Sequence, residues 1–250
     1  MEIFNITLPS NWAELSDKQL HIVYRLFARD LSAAEIKTLC LMKWNGLKVL
    51  SQLPDKRFLI RRGKEEVILS TRQIQQATSD LDFLDSFAPM PVRIAQIGKY
   101  HALPADFEKV PFEQFLYVEN LFQGYLNTQS DELLLQMAQV LYASDHVKPD
   151  KAQLVGIFYW MASLKQYFAG LFSNFYKPAG ANSDGNLLGG GQSDLYSQLR
   201  DSTNAMIRAL TGGDITKEAA IMKMDTWRAL TELDAKAREA EEIRKATKQS

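Results

Sequence analysis

The chain has 250 residues and a formal net charge of −1, from 29 basic and 30 acidic side chains. This balance argues against a nucleic-acid-binding protein, because such proteins usually carry a basic surplus that neutralises phosphates. The single cysteine, Cys40, excludes an internal disulfide and a zinc site built from several thiolates.

The longest apolar run, residues 154–164 (LVGIFYWMASL), is shorter than the roughly 20 residues that a membrane-spanning helix needs. The first residues, MEIFNITLPS, lack the basic and apolar regions of a secretory signal. We therefore expect a soluble, cytoplasmic protein with no membrane association.

The sequence begins with a predicted strand and a predicted helix. Residues 2–8 (EIFNITL) alternate apolar and polar side chains, which is typical of a strand. Ser16 and Gln19 have the spacing of a capping box and predict a helix that extends to about Asp30.

A second capping box, Ser32 with Glu35, predicts the next helix. Its expected apolar face is Ile36, Leu39, Cys40, Leu47 and Leu50. On this face Cys40 is expected to be a buried, inert thiol.

Residues 57–69 (RFLIRRGKEEVIL) predict a β-hairpin with a two-residue turn at Gly63-Lys64. In that register opposite charges face each other across the strands. The expected pairs are Arg62 with Glu65, Arg61 with Glu66 and Ile60 with Val67.

Ser70 and Gln73 predict the start of a third helix, and residues 92–97 (VRIAQI) predict another strand beside the hairpin. The apolar residues expected on this third helix are Ile74, Ala77, Leu81 and Leu84.

From Pro111 onwards the apolar spacing predicts helices. Two helices are lined by Phe115 to Leu126 and by Leu134 to Leu141, and a third covers about Pro149 to Leu171. After a glycine-rich stretch, a helix is predicted at about 194–210. A long final helix is predicted to begin near Asp214, which is a plausible N-cap, and its part beyond Asp234 is strongly charged.

Together these patterns predict a mainly α (α+β) fold. It consists of a helical bundle, a small antiparallel sheet in the N-terminal third and a C-terminal helical pair. The expected organisation is an α+β region at 1–105, a bundle at 106–177, a glycine-rich linker at 178–193 and the helical pair at 194–250.

We find no motif that predicts a catalytic residue, a metal site or a cofactor. The glycines at 185 and 190 have the gap of a phosphate-binding loop, but Gly191 stands where that loop has lysine. His21 is expected to be solvated, and Glu119 is expected to pair with a basic side chain at the edge of an apolar face. One alternative stays open, namely an enzyme whose site is assembled from scattered residues.

A second alternative is a nucleic-acid-associated protein that uses the basic hairpin. Arg57, Arg61, Arg62 and Lys64 form the densest basic cluster of the sequence. A hairpin with basic tips can enter a nucleic-acid groove, but Glu65 and Glu66 are positioned to neutralise this one.

The final helix offers a candidate surface for a protein partner. Its predicted docking stripe is Met224, Trp227, Leu230 and Ile243. Interfaces favour tryptophan and methionine, and an amphipathic helix can dock on a partner through such a stripe. The same stripe could equally pack back on residues 194–210.

Three stretches of the chain carry a resemblance to a family. They are LPSNWAELSDKQL (8–20), FYWMASLKQYFAGLFSNFY (158–176) and TGGDITKEAAIMKMDTWRALTELDAKAREAEE (211–242). Together they resemble uncharacterised proteins from phages and prophages of gut Bacteroidota.

The resemblance implies a non-catalytic protein that binds another protein, either a tail assembly chaperone or a minor tail or virion component. It implies a place in the host cytoplasm or in the virion, and a tail component as the partner. It transfers no catalytic or binding residues to this sequence.

Overall fold

The computed structural model describes residues 6–177 and 192–248. The predicted fold class is confirmed: the protein is mainly helical, with a small antiparallel sheet. Within the described residues, no helix is both long and apolar enough to cross a membrane. The glycine-rich segment predicted at 178–193, including its candidate phosphate loop, lies almost wholly outside the described residues.

The chain forms two compact units, which we describe separately. Unit 1 comprises Met1–Gln96 and Pro149–Ser163, and unit 2 comprises Ile97–Lys148 and Leu164–Ser250. The units interleave along the chain, whereas the domains expected from the sequence follow one another.

Unit 1 begins with two helices whose starts were predicted correctly. Helix α1 spans Asp17–Phe27 and α2 spans Ala33–Trp44. Ser16 and Ser32 each complete a capping box with the residue three positions later. The structure describes residues 6–8 of the strand predicted at 2–8, and these residues have no regular secondary structure.

The prediction that Leu47 and Leu50 extend the second helix was wrong. Helix α2 ends at Trp44, and Gly46 has a φ of 63°. The amide of Leu47 donates to the carbonyl of Met42, at 2.8 Å, as in a Schellman C-cap. Leu50 instead lies in strand β1, Lys48–Leu53.

Strand β1 is the first of three antiparallel strands, with β2 at Arg57–Arg62 and β3 at Glu65–Ser70. The predicted hairpin register is confirmed for all three pairs, and Gly63 takes a φ of 60° in the turn. A bulge at Leu50 interrupts the pairing of β1 with β2. The strand order β1-β2-β3 leaves β1 and β3 at the edges of this sheet.

Helix α3 spans Thr71–Thr78 and begins at the predicted cap, Ser70. A 3₁₀ helix, Ser79–Asp85, follows and carries the buried Leu81 and Leu84. The strand predicted at 92–97 was wrong in position. Only Gln96–Ile97 is extended, as β4, and it pairs with β5 at Tyr100–His101 instead of with the hairpin.

Aromatic side chains form the core of unit 1. Trp12 stacks on Tyr24, with ring centroids 6.4 Å apart, and its Nε1 donates to the carbonyl of Phe83 at 2.9 Å. Tyr24 is fully buried, and Tyr159 of helix α6 lies 5.8 Å from it. This contact requires Gly156 beside the Tyr24 ring, because a Cβ there would lie 2.8 Å from Tyr24 Cδ2.

Unit 2 contains the predicted helices of the second half. They are α4 at Phe112–Thr128, α5 at Asp131–Leu141, the C-terminal part of α6 (Lys151–Leu171), and α7 at Gln192–Thr211. Helix α6 is buried at Leu164 and Phe168 within this unit, as its apolar composition predicts.

The single final helix predicted from Asp214 was wrong, because the chain breaks twice. Asp214 caps a 3₁₀ helix, Ile215–Lys217, before α8 at Glu218–Met222 and α9 at Thr226–Lys248. The second break lies where the carbonyl of Met224 accepts a hydrogen bond from the amide of Phe112, at 2.8 Å. This long-range contact cannot be inferred from helical periodicity.

Candidate binding site

Unit 1 carries an open groove of about 460 Å³ that we call the apolar groove. Its lining comes from α2, α3 and the strands β1 and β2. The apolar side chains that define it are Leu39, Met42, Val49, Phe58, Ile60 and Ile74. A volume in this range is ordinary for a binding site, and an apolar lining is typical of one.

Local structure explains why these residues share one surface. In α2, Glu35, Leu39 and Met42 lie four and three positions apart, so they fall on one helix face. In the sheet, Val49 pairs with Ile60, and paired residues project to the same face.

The walls of the apolar groove are solvent-accessible, whereas one residue in the sheet beneath it is buried. Ile60 is 0% exposed, but Val49 is 54% exposed. Leu39, Met42 and Ile74 are intermediate. Partly exposed apolar side chains gathered in one groove are characteristic of surfaces that bind another molecule.

Glu35 is the charged residue among those that line the apolar groove. Its Oε2 accepts hydrogen bonds from the Ser32 hydroxyl, at 2.7 Å, and from the Ser32 amide, at 2.8 Å. The Ser32 hydroxyl and then its backbone amide lower the pKa of Glu35 below its ordinary value. The groove therefore has a carboxylate at one end that stays ionised at neutral pH.

Sequence reasoning missed this groove because it extended the second helix to Leu50 and so did not predict the strand that carries Val49. Two signals could have corrected this. Asn45-Gly46 is a common helix stop, and Lys48–Leu53 is followed at once by Pro54, which favours a turn.

The four residues of the predicted docking stripe do not form one free surface. Leu230 is 0% exposed and Ile243 is 69% exposed. Met224 precedes α9, and Trp227 is only partly exposed.

Trp227 is held inside unit 2 by its ring and by its indole nitrogen. Its Nε1 donates to the carbonyl of Asp106 at 2.7 Å. Tyr167, Phe168 and Phe172 surround the ring, with centroids 6.0, 5.8 and 5.9 Å away. The anchor that the sequence suggested for a partner thus packs within its own unit.

The basic hairpin is paired with acidic side chains, as its register predicted. Arg61 lies 2.8 Å from Glu66, and Arg62 lies 3.6 Å from Glu65. Arg57 Nη2 lies 3.8 Å from Asp55. These pairs lower the positive charge that Arg57, Arg61 and Arg62 could offer a phosphate, while Lys64 sits in the hairpin turn.

His21 is only partly solvated, and it has two polar partners that the prediction did not include. Its Nε2 lies 2.7 Å from Asp150 Oδ2, and Arg25 Nη2 lies 3.1 Å from its Nδ1. The histidine side chain is 23% exposed. Because Asp150 is distant in the sequence, local spacing could not reveal this pair.

The burial predicted for Cys40 and the basic partner predicted for Glu119 are confirmed. Cys40 is fully buried, and burial raises the pKa of its thiol to about 12, against a small lowering by Lys43. Glu119 Oε1 accepts hydrogen bonds from Lys165 and, at 2.9 Å, from Gln123. Within the part of the chain that the structure describes, no group of three or more His, Cys, Asp or Glu residues is arranged to hold a metal ion.

Scans of this chain against models of protein families, curated proteins and solved structures found no match.

Proposed function

We propose that this protein binds an amphipathic α-helix of another protein in the apolar groove. The observation that carries the proposal is the clustering of partly exposed apolar side chains from two helices and a sheet around one open groove. In this proposal the protein is a non-catalytic adaptor or assembly chaperone.

The dimensions of the apolar groove support a helix as the occupant. From Ala34 to Met42, α2 forms a wall about 12 Å long at the usual rise of an α-helix. A helix presents anchors at i, i+4 and i+7 over about 10.5 Å. The volume of about 460 Å³ accommodates roughly three groups of the size of benzene, each needing about 150 Å³.

The charge of the apolar groove supports a basic residue at one end of the partner helix. Glu35 is ionised and lies among apolar and uncharged residues. A lysine or arginine beside it would complement this charge, whereas an acidic residue would be repelled.

The sequence resemblance alone suggests that the partner belongs to a phage tail. We extend the proposal to tail assembly on that basis, and the stage of assembly stays a prediction.

The test uses the full-length protein and a fluorescein-labelled helical peptide with leucines at i, i+4 and i+7 and an arginine at one end. Fluorescence anisotropy should detect binding with a Kd of roughly 1–100 µM, as expected for a small interface. Val49→Lys should weaken binding about 5- to 30-fold. Val49 is exposed in the free protein, and its burial by the partner should stabilise the complex by about 1–2 kcal/mol.

Ile68→Lys is the matched control. Like Val49, Ile68 is an exposed residue of an edge strand, with 47% of its surface accessible, but it pairs with Leu59 on the opposite face of the sheet. It should leave binding unchanged. Glu35→Gln keeps the capping box and removes the charge, so it should weaken the binding only of a peptide that carries the arginine. Equal binding by the Val49 and Ile68 variants would refute the proposed site.

A further inference from the structure

A second groove, between α4 and the C-terminal end of α5 in unit 2, differs in chemistry from the apolar groove. We call it the polar groove; its volume is about 560 Å³. The residues that determine its chemistry are Glu113, Gln114, Tyr117, Gln136, Gln139 and Asp145.

Two helix faces supply these groups. Glu113 and Tyr117 lie four positions apart on α4, and Gln136 and Gln139 lie three apart on α5. The turn after α5, in which Ala143 has a φ of 49°, completes the groove. The side-chain amide of Gln139 donates to the carbonyl of Asp145 at 3.3 Å, which ties this turn to α5.

Tyr117 lines the polar groove and is 52% exposed, so it presents an aromatic surface there. The ring stands on α4, and the glutamines on the facing helix α5 line the same groove. An exposed aromatic ring beside side-chain amides can stack on an apolar ring face while the amides bond to groups at the ring edge.

The lining of the polar groove selects against several ligand classes. It contains the carboxylates of Glu113 and Asp145 and no lysine, arginine or histidine, which disfavours anions. Val140 and Ala143 are its only aliphatic members, which disfavours an apolar helix. The remaining groups are the hydroxyls of Tyr117 and Ser144 and three side-chain amides, all of which both donate and accept hydrogen bonds.

From this arrangement we infer that the polar groove binds a neutral polyhydroxylated ring, such as one unit of an oligosaccharide. Hydroxyl groups also both donate and accept, so they match the amides of Gln114, Gln136 and Gln139 and the carboxylates. The Tyr117 ring covers the C–H face of the sugar. A cation would use the carboxylates and the amide oxygens but would give the amide N–H groups no acceptor.

An array of neutral oligosaccharides probed with the full-length protein tests this inference, followed by titration of any sugar that binds. Tyr117→Ala should weaken binding about tenfold or more, a loss of roughly 1.4 kcal/mol. Tyr117→Phe should retain binding, because stacking needs the ring and not the hydroxyl.

Leu126→Ala is the control, since Leu126 is another exposed α4 residue, 44% accessible, outside the polar groove. Choline and free arginine serve as cationic probes. No binding of any neutral sugar, equal binding by the Tyr117→Ala variant, or binding confined to the cationic probes would each overturn the inference. Helix binding by the apolar groove is measured separately and does not depend on the result.

Discussion

Substitution of Gly156 by alanine should destabilise the protein, although alanine is the better helix former. Gly156 lies in α6, where a Cβ would be 2.8 Å from Cδ2 and 2.9 Å from Cε2 of Tyr24. The Tyr24 ring is fully buried among Trp12, Phe27 and Tyr159, so it has little room to move.

Two opposing effects determine the size of this destabilisation. Overpacking a core typically costs about 1–3 kcal/mol, and replacing a helical glycine by alanine gains about 1 kcal/mol. Because the clash is with a confined ring, we expect an overpacking cost in the upper part of this range. The net loss in the free energy of unfolding should then be about 1–2 kcal/mol. For a chain of this size that lowers Tm by about 2–8 °C.

Thermal unfolding followed by circular dichroism measures this loss, and Gly170→Ala is the matched control in the same helix. Nothing lies within 4 Å of a Cβ at Gly170, so alanine there should raise stability by about 0.5–1 kcal/mol. Combining Gly156→Ala with Tyr24→Leu should cost less than the sum of the two single changes. A Gly156→Ala protein as stable as the wild type would refute the packing argument.

Three further predictions concern single groups. Trp227→Phe keeps an aromatic ring but removes the hydrogen bond to the Asp106 carbonyl and part of the indole packing, so urea denaturation should show a loss of stability of about 1–3 kcal/mol. Asp234 accepts hydrogen bonds from Asn174 and from the amide of Phe175; burial alone would raise its pKa, but these bonds hold the pKa below the ordinary value. The contribution of Asp234 to the free energy of unfolding should therefore be complete above the unfolded carboxyl pKa of about 3.9 and should vanish as pH falls through the lower folded pKa. Urea titrations at several pH values should then show that the Asp234→Asn protein loses less stability in acid than the wild type. Cys40 should not react with a thiol reagent in the native protein at about pH 8 and should react fully in denaturant, because burial raises its pKa to about 12; rapid native labelling would contradict its burial.

Features fixed by residues close in the sequence could be predicted. The capping boxes at Ser16, Ser32 and Ser70 each involve a partner three residues away, and all three helices start where expected. The register of the β2–β3 hairpin follows from its two-residue turn, so it too was correct.

Features fixed by distant residues could not be predicted. The break before α9 depends on the Phe112 amide and the Met224 carbonyl, and the state of His21 depends on Asp150. The apolar groove requires α2, α3 and β1 to meet, and extending the second helix to Leu50 left no strand β1 to form its wall. The apolar groove therefore became visible only in the assembled unit.

Methyl NMR of the full-length protein, titrated with the helical peptide, tests the proposed binding site most directly. Groove binding predicts that the methyl signals of Leu39, Met42 and Ile74 shift, whereas those of Ile68 and Ile243 stay unchanged. Shifts confined to Ile243 and the rest of α9, with the groove methyls unmoved, would contradict the proposal and favour the C-terminal helix as the docking surface.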